Sequence, residues 1–161
     1  MIGKTRVWDR RHVVLGFIGA GALAAFVPSA RADALPHAVV FRDPSCGCCH
    51  EWVEHLRANG FEATVRDTPR MAAVKAQLGV PRSLASCHTA EIGGYVIEGH
   101  VPADAIKRLL ADKPAARGLA VPGMPIGSPG MEGGTPETYD VILFGDGIER
   151  SYGRFREDKA V

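Results

Sequence analysis

Three of the chain's four cysteines, Cys46, Cys48 and Cys49, fall within four residues, and few folds accommodate thiols so crowded. The flanking residues narrow the choice. Ala38-Val39-Val40-Phe41 upstream reads as a short buried strand, while Trp52, Val53 and Leu56 downstream recur at helical spacing until Gly60 ends the pattern. The thiols are therefore predicted on a strand-to-helix turn. Ser45 or Asp43 is the expected helix cap, and the unpaired N–H groups and positive dipole end of the helix favour thiolate over thiol in its first turn. A thiolate is both a nucleophile and a metal ligand.

Residues 1–32 read as an export signal: Arg10-Arg11, an apolar run from Val13 to Val27, then Ala30-Arg31-Ala32, an A-x-A cleavage pattern that makes Asp33 the expected new N-terminus. The run is shorter than the roughly 20 residues a spanning helix needs, which argues against an anchor. The adjacent arginines also resemble a twin-arginine signal, a route for proteins that fold before export. A periplasmic protein is expected, with no membrane association once the signal is removed. The leader holds five of the 19 basic residues and one of the 18 acidic ones, Asp9, so the mature part carries 14 against 17, a net −3. No basic patch remains to suggest nucleic acid.

Residues 33–161 then form one domain, long enough to bury a core without disulfide staples. Its cysteines are free for chemistry. Phe61 to Arg66 alternates as a second strand; Thr68-Pro69 opens a helix carrying Met71, Val74 and Leu78; Gly94 to Gly99 is a third strand; and Pro102 opens a helix with Ala105, Ile106, Leu109 and Leu110, closed by Pro114. From Gly118 to Pro136 glycine and proline dominate, which predicts a long loop without helix or strand, and such loops often serve function. Asp140 to Phe144, the Gly145-Asp146-Gly147 turn and Ile148 to Phe155 read as a C-terminal β-hairpin. The α/β order with a CxxC-type turn after the first strand predicts a thioredoxin-like sandwich.

Cys46 and Cys49 have the spacing of a dithiol redox pair, yet a third thiol in the same turn would invite wrong pairings. Soft metal binding explains the crowding better, since sulfur ligands select Cu(I), Zn(II) or iron–sulfur clusters. Zinc usually takes two separated C-x-x-C pairs, whereas C-x-C thiolates more naturally bridge several soft monovalent ions. Soft-metal binding leads, with thiol redox chemistry and structural disulfides left open beside it. Cys87 lies in a polar loop that a thioredoxin-like fold would turn towards the first-turn thiols, which makes it a candidate fourth ligand. His50, His88 and His100 can each ligate copper or zinc, or simply be solvated or bonded to a carbonyl, and of the three His88 is kept as a subsidiary candidate ligand. His37 falls in the N-terminal arm, and His55 is expected at the surface. Met124 and Met131 carry thioethers soft enough for Cu(I), or they plug the loop against the core. No general base, phosphate loop or carboxylate pair of a hydrolase stands out.

Four stretches then carry a resemblance. They are Cys46-Gly47-Cys48-Cys49-x-x-Trp52, Ser86-Cys87-His88-Thr89-Ala90, Gly94 to Ala103, and Gly118-Leu119-Ala120-Val121-Pro122-Gly123-Met124-Pro125-Ile126-Gly127-Ser128-Pro129-Gly130-Met131-Glu132. The chain resembles the small exported metal-binding proteins often found with bacterial copper-resistance genes, including the CopG-like copper-tolerance proteins. The resemblance implies a thioredoxin-like fold that has exchanged dithiol chemistry for copper, held chiefly as Cu(I) by Cys46, Cys48, Cys49 and Cys87. It further implies a multi-copper thiolate cluster able to change redox state, a cover formed by the loop with Met124 and Met131, and other periplasmic copper-handling proteins as exchange partners. The alternative expectation is a periplasmic thiol–disulfide oxidoreductase that uses Cys46 as nucleophile and Cys49 as resolving thiol.

Overall fold

A computed structural model describes residues 34–161; the predicted export signal lies outside the described residues. The chain runs β1 (Ala38–Arg42), α1 (Gly47–Ala58), β2 (Ala63–Asp67), α2 (Met71–Gln77), a 3₁₀ turn (Arg82–Leu84), β3 (Thr89–Ile92), β4 (Tyr95–Glu98), α3 (Ala103–Asp112), β5 (Gly118–Ala120), β6 (Thr138–Gly145), β7 (Ile148–Arg156) and β8 (Lys159–Ala160). Its strands form a mixed eight-stranded sheet in the order β2-β1-β3-β4-β5-β6-β7-β8. β1 pairs in parallel with β2 and β4 with β5, and every other pairing is antiparallel. Among the described residues, no helix is long and apolar enough to cross a membrane.

Strand alternation sorts the core onto two faces. Ile97, Leu119 and Leu143 join one apolar cluster, while their neighbours Val96, Ala120 and Phe144 join another with Val80 and Leu84. The larger cluster receives α1 and α3. Helix α1 buries Cys49, Trp52, Val53 and Leu56, an i, i+3, i+4, i+7 stripe in which a cysteine extends the predicted apolar face. Helix α3 buries Ala103, Ala105, Ile106 and Leu109. Each fully buried large aliphatic side chain contributes about 1.5–3 kcal/mol, so these two stripes hold the helices to the sheet. α2 buries no residue fully and covers the other face more loosely.

Several local expectations change. Neither Ser45 nor Asp43 caps α1: the N-cap is Cys46, without a side-chain cap, because the Asp43 carboxylate instead accepts from the backbone N–H and hydroxyl of Ser45. α2 starts at Met71, after Thr68 has turned its hydroxyl to the Arg70 N–H. The third predicted strand is the second arm of a β3–β4 hairpin turning through Gly93-Gly94. Gly118 to Ala120 is a strand, not loop, and only glycine fits its start: a Cβ on Gly118 would lie 1.7 Å from the Val96 carbonyl oxygen. The C-terminal hairpin is present, with a bulge between Val141 and Ile142 and the added short strand β8.

One buried ionic network ties α2 to the sheet. Glu98, fully buried on β4, accepts from Lys75 Nζ at 2.5 Å and the Ser86 backbone N–H at 2.6 Å through one oxygen, and from Thr89 Oγ1 at 2.6 Å through the other. Lys75 also donates to Thr89 Oγ1 at 3.0 Å. A carboxylate with no water around it is tolerated only when paired and hydrogen-bonded in this way. Its bond to Ser86 fixes the backbone one residue before Cys87. Replacing Glu98 by alanine leaves the Lys75 ammonium and the Ser86 N–H unpaired, at an expected cost of about 3–5 kcal/mol. Urea unfolding measures that loss, and alkylation of Cys87 in the still-folded variant should be faster than in the wild type.

A candidate metal centre at one end of the sheet

Strand register assembles the site. Phe41 on β1 pairs with Thr89 on β3, Thr89 with Glu98 on β4, and Glu98 with Ala120 on β5. Four chain segments therefore leave the sheet along one line: the turn from β1 into α1, the Ser86-Cys87-His88 approach to β3, Gly99-His100 after β4, and the Gly/Pro-rich loop after β5. Their chemistry converges because the strands end together.

Cys46, Cys48, Cys49 and Cys87 lie with their sulfurs all within 4.8 Å of one another, a set that could hold a metal ion. Cys46 and Cys49 are joined in a disulfide, whereas Cys48 and Cys87 are free thiols. Cys48 Sγ is 3.5 Å from Cys46 Sγ and 3.8 Å from Cys87 Sγ. The structure thus brings the four predicted cysteines together, with two of them in the redox pairing their spacing also allowed. Cys48 sits in the first turn of α1 beside unpaired backbone N–H groups. Burial first, and the neighbouring Cys48 second, push the Cys87 thiol up to about 11.

Two histidines close on Cys87 from the sheet side. His100 Nε2 lies 3.0 Å from Cys87 Sγ, and His88 Nδ1 lies 3.4 Å from it. Both rings are fully buried. His100 Nδ1 donates to the Pro129 carbonyl at 2.8 Å, while His88 packs on the Trp52 ring at 4.3 Å and leaves Nε2 without a hydrogen-bond partner. Trp52 is core, as its spacing predicts, and its Nε1–H donates to Val101 at 3.0 Å. Burial holds both imidazoles below their usual pKa, His88 far below. His50 is exposed on α1. His55, expected at the surface, is half-buried: it accepts the Ala103 N–H through Nε2 at 3.1 Å, and burial lowers its pKa.

The Gly/Pro-rich loop is fastened over this end. Ser86 Oγ donates to the Gly123 carbonyl, Pro129 receives His100, and Gly130 lies so close to α1 that a Cβ there would come within 2.9 Å of the Cys48 carbonyl oxygen. Met131 is half-buried, but Met124 is 53% exposed and does not plug the loop against the core. The sequence marks His88, not His100, as a subsidiary candidate ligand, and it does not mark Glu98 as an anchor. For Glu98 the available signal was a carboxylate in the otherwise apolar run Tyr95-Val96-Ile97.

The fold and site define an α/β protein that gathers a cysteine cluster and two buried histidines at one end of its sheet. Residues 84–131 match the family described as "Protein of unknown function, DUF411". Two solved structures, "Copper resistance protein copG- Form 2" and "Copper resistance protein copG- Form 1", are each 45% identical over 74% of this chain and 98% of theirs, with TM-scores of 0.70 and 0.69. No curated protein matches the chain. The chain belongs to the CopG family of copper resistance proteins.

The buried imidazoles have a consequence for stability. Folded His55, His88 and His100 refuse protons that their unfolded counterparts accept below about pH 6.5, so their contribution is complete above that pH and lost as the pH falls. The metal-free protein is expected to lose unfolding midpoint steadily on acidification from about pH 7.5 to about 5.5. His55→Gln, which keeps a neutral acceptor for the Ala103 N–H, should flatten that slope in a denaturant titration at each pH.

Proposed function

We propose that the protein is an exported, periplasmic copper-binding protein of copper tolerance, which holds copper chiefly as Cu(I) through the thiolates of Cys46, Cys48, Cys49 and Cys87. The convergence of these four sulfurs within 4.8 Å carries the reading. Soft sulfur discriminates against hard cations, and C-x-C thiolates suit bridging between monovalent ions in a small multi-copper cluster. Membership of a family whose solved members are titled copper resistance proteins supports copper as the cargo. The export pattern in residues 1–32 supports the periplasmic location, where other copper-handling proteins are the exchange partners. We read β1-α1-β2-α2-β3-β4-α3, with its β2-β1-β3-β4 order, as a thioredoxin-like unit that the β5–β8 segment extends. His88, and the thioethers of Met124 and Met131 in the loop after β5, are the subsidiary ligands to cysteine.

The Cys46–Cys49 disulfide favours a second reading, thiol–disulfide exchange with Cys46 as nucleophile and Cys49 as resolving thiol, at the N-terminus of a helix. The two readings separate on Cys48. In an anaerobic Cu(I) titration of the reduced mature protein against a competing chelator, with free thiols counted at each point, tight uptake should consume all four thiols. Cys48→Ser should lower both the amount held and the affinity by at least tenfold. Unchanged copper binding in that variant, together with insulin reduction that survives replacement of both Cys48 and Cys87, would establish the exchange reading instead.

A further inference from the structure

We propose that a cleft at the far end of the sheet binds a single-chain acyl carboxylate, a fatty acid anion, independently of the copper reading. β3 leaves the cysteine end at Thr89 and runs to Ile92, so the Gly93-Gly94 turn lies at the opposite end. There Leu35 and Pro36 of the N-terminal arm, Tyr95 of β4, and Leu110 and Ala111 of α3 line a cleft of about 600 Å³. Small-molecule sites run from about 300 to 1,000 Å³ and are lined chiefly by apolar side chains with a few polar groups. The cleft matches on both counts.

Its walls are fixed by the fold. Leu35, Tyr95 and Leu110 pack against the main core and are each only partly buried, so part of every side chain faces the cleft. Tyr95 donates its hydroxyl to the Pro114 carbonyl at 3.0 Å, which ties the chain after α3 to β4. Gly93, with φ at +57°, sits where a Cβ would lie 2.5 Å from Leu110 Cδ2 and 3.2 Å from Pro36 Cγ. A side chain there would push the arm and the helix apart. Three segments therefore meet at one glycine and border the cleft.

Charge selects the occupant. The mature part is net acidic, 14 basic residues against 17, yet among the described residues the charged side chains lining the cleft are two lysines, Lys107 and Lys113. Of the described lysines, Lys75 and Lys159 pair with carboxylates and these two do not. Asp112, next to Lys113, is engaged by the Tyr152 hydroxyl at 2.9 Å and by Arg108 at 3.9 Å. Lys113, at the C-cap of α3, also answers the helix's negative end, whereas Lys107 lies more than a turn earlier. Lysine stems are apolar, so both side chains extend the walls along a hydrocarbon chain and leave their ammonium groups for a carboxylate at its end. A second copy docked by the same face would set like charges against each other, and a bilayer surface is flat where the cleft is concave. A single acyl chain with an anionic end meets both conditions.

Decanoate, below its micelle-forming concentration, is the probe, titrated into the copper-free mature protein and followed by calorimetry and amide NMR. One decanoate per chain is expected, with shifts concentrated at Gly93, Gly94, Tyr95 and Leu110 and none at Cys48 or Cys87. Each buried methylene multiplies affinity about fourfold, so hexanoate should bind at least tenfold more weakly. Decanol, which lacks the charge, should bind about tenfold more weakly than decanoate, and Lys107→Gln combined with Lys113→Asn should remove that difference. Asparagine suits the left-handed backbone at 113, so this surface variant keeps its fold. Ala111→Trp, which fills the cleft from an exposed helix position, should abolish binding while the amide spectrum away from the cleft stays that of the wild type. No uptake of decanoate, equal binding of decanol by the wild type, shifts centred elsewhere, or binding to anionic phosphatidylglycerol vesicles but not to decanoate would overturn the assignment. No readout involves copper, so this reading and the thiolate reading can each fail without the other.

Discussion

The register across β1, β3, β4 and β5 is the constraint on which the site depends. Phe41, Thr89, Glu98 and Ala120 lie on one line across the sheet, so a slip of one residue at any pairing would send a donor-bearing segment to the wrong face. Apolar alternation holds that register. Val40, Ala90, Ile97 and Leu119 are buried in one cluster, while Val96, Ala120 and Phe144 face the other way. Burial of this kind is non-directional, but on a strand it acts with a period of two and thereby becomes positional information. The chemistry at the sheet's end is specified by apolar residues that take no part in it.

Apolar burial places the segments, and polar contacts then aim individual side chains. Glu98 holds the Ser86 N–H immediately before Cys87, Pro129 holds the His100 ring, and Ala103 engages His55 at the start of α3. Each partner is a charged group or a backbone atom with a defined direction, as a loop residue requires when no ladder of hydrogen bonds fixes it. The buried network and imidazoles are costly in isolation, and α1 and α3 supply the apolar burial that offsets them.

Much of the architecture was legible because it rests on local periodicity and turn chemistry. The strand-to-helix turn at Cys46, the Trp52-Val53-Leu56 stripe, the α3 stripe and the hairpin at Asp146-Gly147 all carry their signals within a few residues. β3 and β5 were not legible, since four residues reading Thr-Ala-Glu-Ile and three reading Gly-Leu-Ala contain no periodic signal and become strands only by pairing with distant partners. The missing α1 cap has a similar cause: Asp43 is diverted by Ser45, a local competition that residue type alone does not decide. At the site, cysteine spacing marked the four sulfurs. It could not mark His100, whose role depends on a carbonyl 29 residues away in the sequence.

The family match over residues 84–131 makes physical sense in these terms. That span begins at the 3₁₀ turn and runs through Cys87, His88, Glu98 and His100 to the Gly/Pro-rich loop, so it contains the Cys87 and Gly130 segments that meet the cysteine turn and α1, but not the turn itself. Glycine and proline in such a stretch are usually read as signs of a connection free to vary. Here they are constrained from both sides. Gly118 must admit the Val96 carbonyl, Gly130 must admit the backbone of α1, and Pro129 must present its carbonyl to His100. The loop is therefore a wall of the site, held by sterics where it has no regular hydrogen bonding, and a side chain at Gly130 would lift it from Cys48 and from His100 together.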